Sequence, residues 1–379
     1  MISPDSELRA MNSELIYQLA LTEIQHIGCV HAKILAQHFG NAEDIFKAPQ
    51  AMLEKIEGIG TVRARSIKQH NHFENAEKEI KFIEKYKIKP LFITDKNYPR
   101  RLLNCYDSPT LLFYKGQANL NASKIIAVIG TRSHTEYGKQ VTEKIIKELT
   151  AQQVLVVSGL AFGIDAVAHK AALKNGLPTV GVLGHGLDQI YPPEHANIAR
   201  DMLKHAGGLL TEYRSNTKPD KHNFPVRNRI VAGMSDATIV IETGIKGGSM
   251  ITAELANGYN KDVFAFPGKV TDNKSAGCNY LIKSNKAMLL TDAQELVEVM
   301  GWEEKTKSKK EEKSQRELFI ELSKEEKIIV SILNEKDTVH IDEINLKSGL
   351  NSSAVAAAIL NLEIQNVVGC LPGKLYKLV

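Results

Sequence analysis

Four short segments of this 379-residue chain carry residue types suited to holding a phosphate chain. The first is Gly130-Thr131-Arg132-Ser133, where the glycine permits a tight turn and Arg132 projects a guanidinium from the end of an apolar run. The second is Ser158-Gly159-Leu160-Ala161-Phe162-Gly163-Ile164-Asp165, in which Gly159 and Gly163 allow close backbone approach and Asp165 is placed to cap or charge a helix N-terminus. The third, Lys221 to Arg229, is the densest polar and basic cluster, with Lys221, Arg227, Asn228 and Arg229 able to meet phosphates and Phe224 able to stack on a base. In the fourth, Gly247-Gly248-Ser249, with Thr252 one turn on, offers backbone amides and hydroxyls at a helix start.

The same residues admit structural roles. Phe224 can fill a core, and either arginine can tie two helices together through a buried ion pair. Asp165 and His169 stand four apart, but no third ligand accompanies them, so no metal site is expected. Neither GxGxxG nor GxxxxGK[ST] occurs, which removes the main support for dinucleotide or P-loop chemistry, and no cofactor is expected. A Rossmann-like nucleoside monophosphate hydrolase is the enzymatic alternative, with Glu254 and Glu242 as its candidate acids. Neither has an evident partner, and a hydrolase does not need the Lys221 to Arg229 cluster. A binding protein, not an enzyme, is the expectation.

The elements that must position these segments follow from the alternation of β-branched runs with helical stretches. Runs at Ile125–Gly130, Val154–Gly159, Thr179–Gly184, Leu209–Tyr213, Ala237–Thr243 and Asp262–Gly268 predict a doubly wound α/β sheet, which takes ligands at the carboxyl ends of its strands. Upstream, Ile24 to Lys33 recurs 32 residues later as Ile56 to Arg65, predicting two helical hairpins. Gly58-Ile59-Gly60 forms the turn of the second, and His26 replaces the glycine in the first. A structural role and a weak DNA contact both remain open for this turn. The predicted order is a helical domain over 1–88, a Rossmann-like domain over 89–302, a charged linker over 303–321, and three helices with a hairpin over 322–379, the order of a winged helix.

Charge is unevenly divided. Residues 1–90 hold 12 basic and 12 acidic side chains, 91–302 hold 24 against 19, and 303–379 hold 12 against 13, so a polyanion is expected on the middle domain. From Leu322 to Val379 there are six lysines, no arginine and seven acids, a poor composition for reading duplex DNA. Hydrophobic residues at 43% and charged residues at 24% match ordinary globular usage. No apolar run approaches the roughly 20 residues of a membrane helix, and the N-terminus lacks a signal-peptide layout, so a cytoplasmic location is expected. The four scattered cysteines suggest neither disulfides nor zinc.

Taken in order, Tyr98-Pro99, Asp107-Ser108-Pro109, Gly116, Gly130-Thr131-Arg132, Ser158 to Asp165, Gly186-Leu187-Asp188, Tyr191-Pro192, Phe224 to Arg229, Gly248 to Ala253 and Pro267-Gly268 resemble the DNA-processing protein A family (DprA/Smf). The resemblance covers about 90–290, with flanks similar to the family's accessory domains. It implies a homodimer that binds single-stranded DNA, protects it and helps load the RecA recombinase during natural transformation. It also implies DNA contacts for Arg132, Lys221 and Phe224 and a phosphate cradle at Gly247-Gly248-Ser249. Phe162 and Pro193 stand where a basic residue is plausible for the family, thinning the positive patch.

Overall fold

The computed structural model describes residues 4–303 and 322–379. The chain forms two compact units, one running to Leu289 and one from Leu290 to Val379. The charged linker predicted over 303–321 lies outside the described residues apart from Glu303.

In the first unit one nine-stranded sheet runs in the order β1-β2-β6-β5-β4-β3-β7-β8-β9. Its strands are β1 Lys89–Phe92, β2 Leu111–Gly116, β3 Ile125–Ile129, β4 Leu155–Ser158, β5 Thr179–Val182, β6 Gly208–Thr211, β7 Ala237–Val240, β8 Asp262–Ala265 and β9 Met288–Leu289. The pairings from β6 through β9 are all parallel, while β1 and β2 add an antiparallel edge. The six apolar runs of the sequence are the six strands from β3 to β8, and β3, β4, β5 and β7 are buried along their whole length, as strands covered on both faces require. The chain winds outward from β3 to β6 on one side and from β7 to β9 on the other. The order therefore reverses between β3 and β7, which pair from Ile126↔Ala237 to Ile129↔Val240. A crevice opens at the carboxyl ends where neighbouring connections diverge in this way.

The helical segment includes helices Pro4–Leu21, Cys29–Phe39, Gln50–Glu54, Gly60–Gln69 and Glu74–Tyr86. The sequence echo is a structural echo: His26 and Gly58, 32 residues apart, both adopt left-handed backbone, with φ of 70° and 83°. Histidine is among the few non-glycine residues that take this conformation with any frequency. Arg63 donates to the carbonyls of His26 and Gly58, so its guanidinium holds the two hairpin turns together. The segment shares one continuous core with the sheet, from Leu35 and Ile45 through Phe92 and Leu112 to Val157 and Val180. A boundary at 88 therefore marks a change of secondary structure inside one compact unit.

In the second unit, helices Lys324–Leu333, Ile341–Ser348 and Ser352–Ile364 pack around Ile329, Leu333, Ile344, Val355 and Leu362. Strands β10 Val339–His340, β11 Val368–Leu371 and β12 Leu375–Leu378 complete the winged helix. Ser323 and Glu326 close the first of these helices with a capping box. No helix among the described residues is long and apolar enough to cross a membrane.

One buried group makes the α/β core sensitive to pH. His169, on helix Ile164–Lys174, is fully buried, and its Nδ1 lies 2.7 Å from Thr179 Oγ1. That hydroxyl itself donates to the Val156 carbonyl, so the imidazole must be the donor at Nδ1, and its buried Nε2 has no hydrogen-bond partner. A second proton would have no acceptor. Burial, first of all, pushes the imidazole down to about 3 from 6.5. A group depressed on folding contributes stability above its unfolded value and loses it as pH falls through that value toward the folded one. Urea denaturation of the wild type between pH 7 and 5 is therefore expected to include a component of up to about 1.4 kcal/mol per pH unit that His169→Gln lacks. Equal losses in both proteins would mean that His169 accepts its proton inside the fold.

Candidate nucleic-acid interface

A cleft of about 680 Å³ lies at the switch between β3 and β7. Its floor comes from strand ends: Gly130 and Thr131 after β3, Gly159 after β4, and Thr243 and Gly244 after β7. One wall is the first turn of helix Gly248–Gly258, with Gly247, Gly248, Ser249 and Thr252. The facing wall is the start of helix Asn223–Gly233, with Lys221, Phe224, Pro225 and Asn228, joined by Tyr191 from the segment after β5.

The helix wall is an anion seat by construction. No side chain caps the Gly248–Gly258 N-terminus; the Gly247 and Met250 amides donate to the Gly244 and Gly247 carbonyls, which leaves the Gly248 and Ser249 amides open, and the helix dipole adds positive potential. The Ser249 hydroxyl donates to Thr243 Oγ1 at 2.7 Å, tying the turn to the end of β7 and leaving main-chain amides as the principal donors. The aromatic wall carries charge and stacking surface together. Phe224 stacks on Tyr191 with centroids 5.8 Å apart, and the Arg132 guanidinium sits 5.6 Å from the Phe224 centroid. Arg132 and Lys221 are exposed. Backbone packing holds the Arg132 loop: Ile164 N donates to the Thr131 carbonyl, and Gly163, with φ of 81°, leaves room for that loop. A Cβ at Gly163 would come within 2.0 Å of the Thr131 oxygen.

Beneath the cleft two buried charges of opposite sign, Arg227 and Asp165, hold the loop at Gly159. Arg227 is 4% exposed and donates through Nη1 to the carbonyls of Gly159, at 2.6 Å, and Val182. Asp165 accepts from the amides of Gly159 and Ala161 at 3.1 and 3.3 Å. A Cβ on Gly159 would meet both side chains, at 2.6 Å from Arg227 and 2.7 Å from Asp165. Burial is the leading influence on each group, raising the Asp165 carboxyl and lowering Arg227 to about 10, and each charge partly offsets the other's shift. Arg227 stays cationic at neutral pH. It lends positive potential to the floor while its Nη1 is held by the two carbonyls and its Nε by Asn228 Oδ1.

Several sequence expectations are corrected by this packing. Asp165 does not cap its helix, whose N-cap position belongs to Gly163, but it does place an acid in the first turn, and its carboxylate also staples the preceding loop. Ser158 is fully buried, donates to the Val128 carbonyl at 2.7 Å and does not border the cleft. Arg229, expected to meet phosphate beside Arg227, also lies off the cleft, with its guanidinium committed to Glu212 and the Asp107 carbonyl. Helical spacing is the reason: residues two apart point to different sides of a helix. Arg132, Gly159, Lys221, Phe224, Arg227, Asn228, Gly247, Gly248 and Ser249 do converge. Sequence reasoning missed Tyr191 and Thr243 as cleft residues; an aromatic before two prolines, beyond a strand end, was the available signal for Tyr191.

The candidate acids of the hydrolase alternative lie elsewhere. Glu254 pairs with Lys286 at 2.7 Å and borders a separate groove with Tyr106, Leu255 and Tyr259. Glu242 is fully buried and accepts from the Thr135 amide at 2.9 Å and from the Thr135 hydroxyl. Among the described residues no group of His, Cys, Asp and Glu could hold a metal ion.

A family model described as DNA recombination-mediator protein A matches residues 89–301, with a helix-hairpin-helix motif at 16–80 and a DprA winged helix domain at 313–374. Protein Smf of Synechocystis is 33% identical over 97% of this chain and 99% of its own length. DNA processing protein DprA of Streptococcus pneumoniae is 42% identical over 54% of this chain and 72% of its own. The X-ray structure of the S. pneumoniae protein superposes with a TM-score of 0.63 at 33% identity, covering 74% of this chain and 95% of that one. A Helicobacter pylori DNA processing protein A structure, described for its single-stranded DNA binding mode, superposes at 0.51 with 32% identity over 56% of this chain and 94% of that one. With the full length matched in one relative and the α/β region in the family model, the chain belongs to the DNA recombination-mediator protein A family, DprA/Smf.

Proposed function

We propose that the cleft binds single-stranded DNA, and that this cytoplasmic protein acts as a homodimer that protects incoming strands and helps load the RecA recombinase in natural transformation. The observation that carries the reading is one cleft in which a stacked Phe224–Tyr191 pair under Arg132 faces an uncapped helix N-terminus. A phosphate is served by the amides and the guanidinium, and an unpaired base by the aromatic face. In a duplex the base faces are already stacked, so the aromatic wall favours a single strand. The H. pylori relative, whose structure is described as binding single-stranded DNA, supports the same reading. Catalysis is not part of it: the cleft brings no acid/base pair to bear on a bound nucleotide, and incubation with nucleoside monophosphates is expected to release no free base.

Arg132→Ala is expected to weaken oligothymidine binding by about 1–3 kcal/mol and to reduce the salt slope by about 0.7, the loss of one charge-assisted phosphate contact. Fluorescence anisotropy across a salt series reads both; unchanged affinity and slope in a folded variant would leave Arg132 a surface residue only. Phe224→Ala separates stacking from charge, with an expected loss of about 1–3 kcal/mol and an intact salt slope. A thermal melt decides between roles, because normal affinity with a large drop in melting temperature would make Phe224 a core residue.

Deleting residues 303–379 is expected to leave single-strand affinity within about threefold, or roughly 0.7 kcal/mol. The helix in the recognition position, Ser352–Ile364, has no Lys or Arg and exposes Ala356, Ala357, Leu360 and Ile364, a surface suited to protein contact. A tenfold loss, or sequence-specific duplex binding by the winged unit, would contradict this assignment.

A further inference from the structure

We propose that the N-terminal helical segment controls the cleft without touching DNA: Glu79, helped by the Arg214–Glu23 pair, is a positioning residue for the wall that carries Lys221 and Phe224. The inference rests on the single-strand reading of the cleft.

The wall depends on the stretch from Glu212 to His222, which joins β6 to helix Asn223–Gly233 with no regular element of its own. Its near end is anchored on three sides. Glu212 pairs with Arg229 of the helix. Asn216 N donates to Asp188 Oδ1 at 2.9 Å, and Thr217 O accepts from Gly186 N at 3.0 Å and Gln189 Nε2 at 3.2 Å. The third anchor is the helical segment. Glu79, 6% exposed on helix Glu74–Tyr86, accepts from Ser215 N at 3.0 Å and Ser215 Oγ at 2.5 Å. Beside it, Arg214 donates to the Leu19 carbonyl, to Thr22 Oγ1 at 3.0 Å and to Glu23, closing the carboxyl end of helix Pro4–Leu21.

The two carboxylates that do this are the wrong charge for a polyanion site, and their partners lie within ten residues of Phe224. Arg63, a cation at the hairpin turns, is occupied by their carbonyls, and residues 1–90 are electrically balanced. The helical segment thus has weak means to hold a phosphate chain but direct means to restrict where Lys221 and Phe224 stand. Restricting them before DNA arrives removes an ordering cost from binding.

The charge of Glu79 makes the idea testable by sign. Removing an acid from a DNA-binding protein should, by electrostatics alone, tighten binding. Positioning requires the opposite: Glu79→Ala in the full chain is expected to weaken oligothymidine binding on the order of fivefold, the worth of a lost buried hydrogen-bond pair, without changing the salt slope. Ser215→Ala, which leaves net charge alone, should do the same to a smaller extent, and Glu79→Gln, which keeps an acceptor for the Ser215 amide, should recover part of the loss. Hydrogen exchange of the free protein supplies a readout independent of DNA, with faster exchange expected in 213–224 and unchanged exchange in β3 to β8. Affinity equal to or tighter than wild type, or acceleration spread through the whole unit, would overturn the proposal. If the wild type failed to bind oligothymidine, the cleft reading itself would fall, and the exchange pattern alone would still decide whether Glu79 positions the wall.

Discussion

A single buried guanidinium holds the floor of the cleft together. Arg227 reaches from helix Asn223–Gly233 to the carbonyls at the ends of β4 and β5, while Asp165 reaches from helix Ile164–Lys174 to the amides of the loop after β4. Each charge would be costly to bury without partners, and each is held by main-chain groups, Arg227 by two carbonyls and Asp165 by two amides. The arrangement therefore enforces itself: Gly159 must lack a side chain, the loop must close over Asp165, and the helix must start where it does. The Phe224 ring, one helical turn before Arg227, inherits its place at the rim from this anchor.

From that anchor outward, the site divides labour between groups that fix geometry and groups left free to bind. Arg229, Ser158 and Glu242 spend their polar atoms inside the protein, and Arg227 Nη1 and Asp165 Oδ2 bond to main-chain groups. Arg132, Lys221 and the Gly248 and Ser249 amides do not, and these are the groups a phosphate chain can reach. Both kinds look alike in composition. The positive excess of the middle region overstates the binding surface, because part of it is spent elsewhere: Arg214 pairs with Glu23 of the helical segment, and Lys274 donates to the Ser133 carbonyl.

How much of this was legible beforehand follows from which physics writes itself locally. Strands β3 to β8 are readable because burial on both faces demands unbroken apolar runs, and their terminal glycines mark the carboxyl edge where the cleft forms. The edge strands β1 and β2 escaped, because the paired edge carries lysines and a proline and pairs antiparallel outside the repeating pattern. Asp165 was legible as an acid at a helix start but not as the staple of the loop before it; only the fold brings Arg227 and the 159–161 amides to it. Arg227 and Arg229 could not be told apart by type, and helical geometry in three dimensions separates them. The tie from Glu79 to Ser215 spans 136 residues and has no local signature at all.

The central claim is that an unpaired base lies against the Phe224–Tyr191 wall, and photo-crosslinking tests it most directly. An oligothymidine carrying 5-iodouracil at each position in turn would be irradiated with the full-length protein and the modified peptides sequenced. The account expects adducts at Phe224 or Tyr191, lost on competition with unlabelled single strand and retained against duplex. Adducts confined to the helical hairpins or to the winged unit, with none in the peptides around 191 and 224, would contradict it.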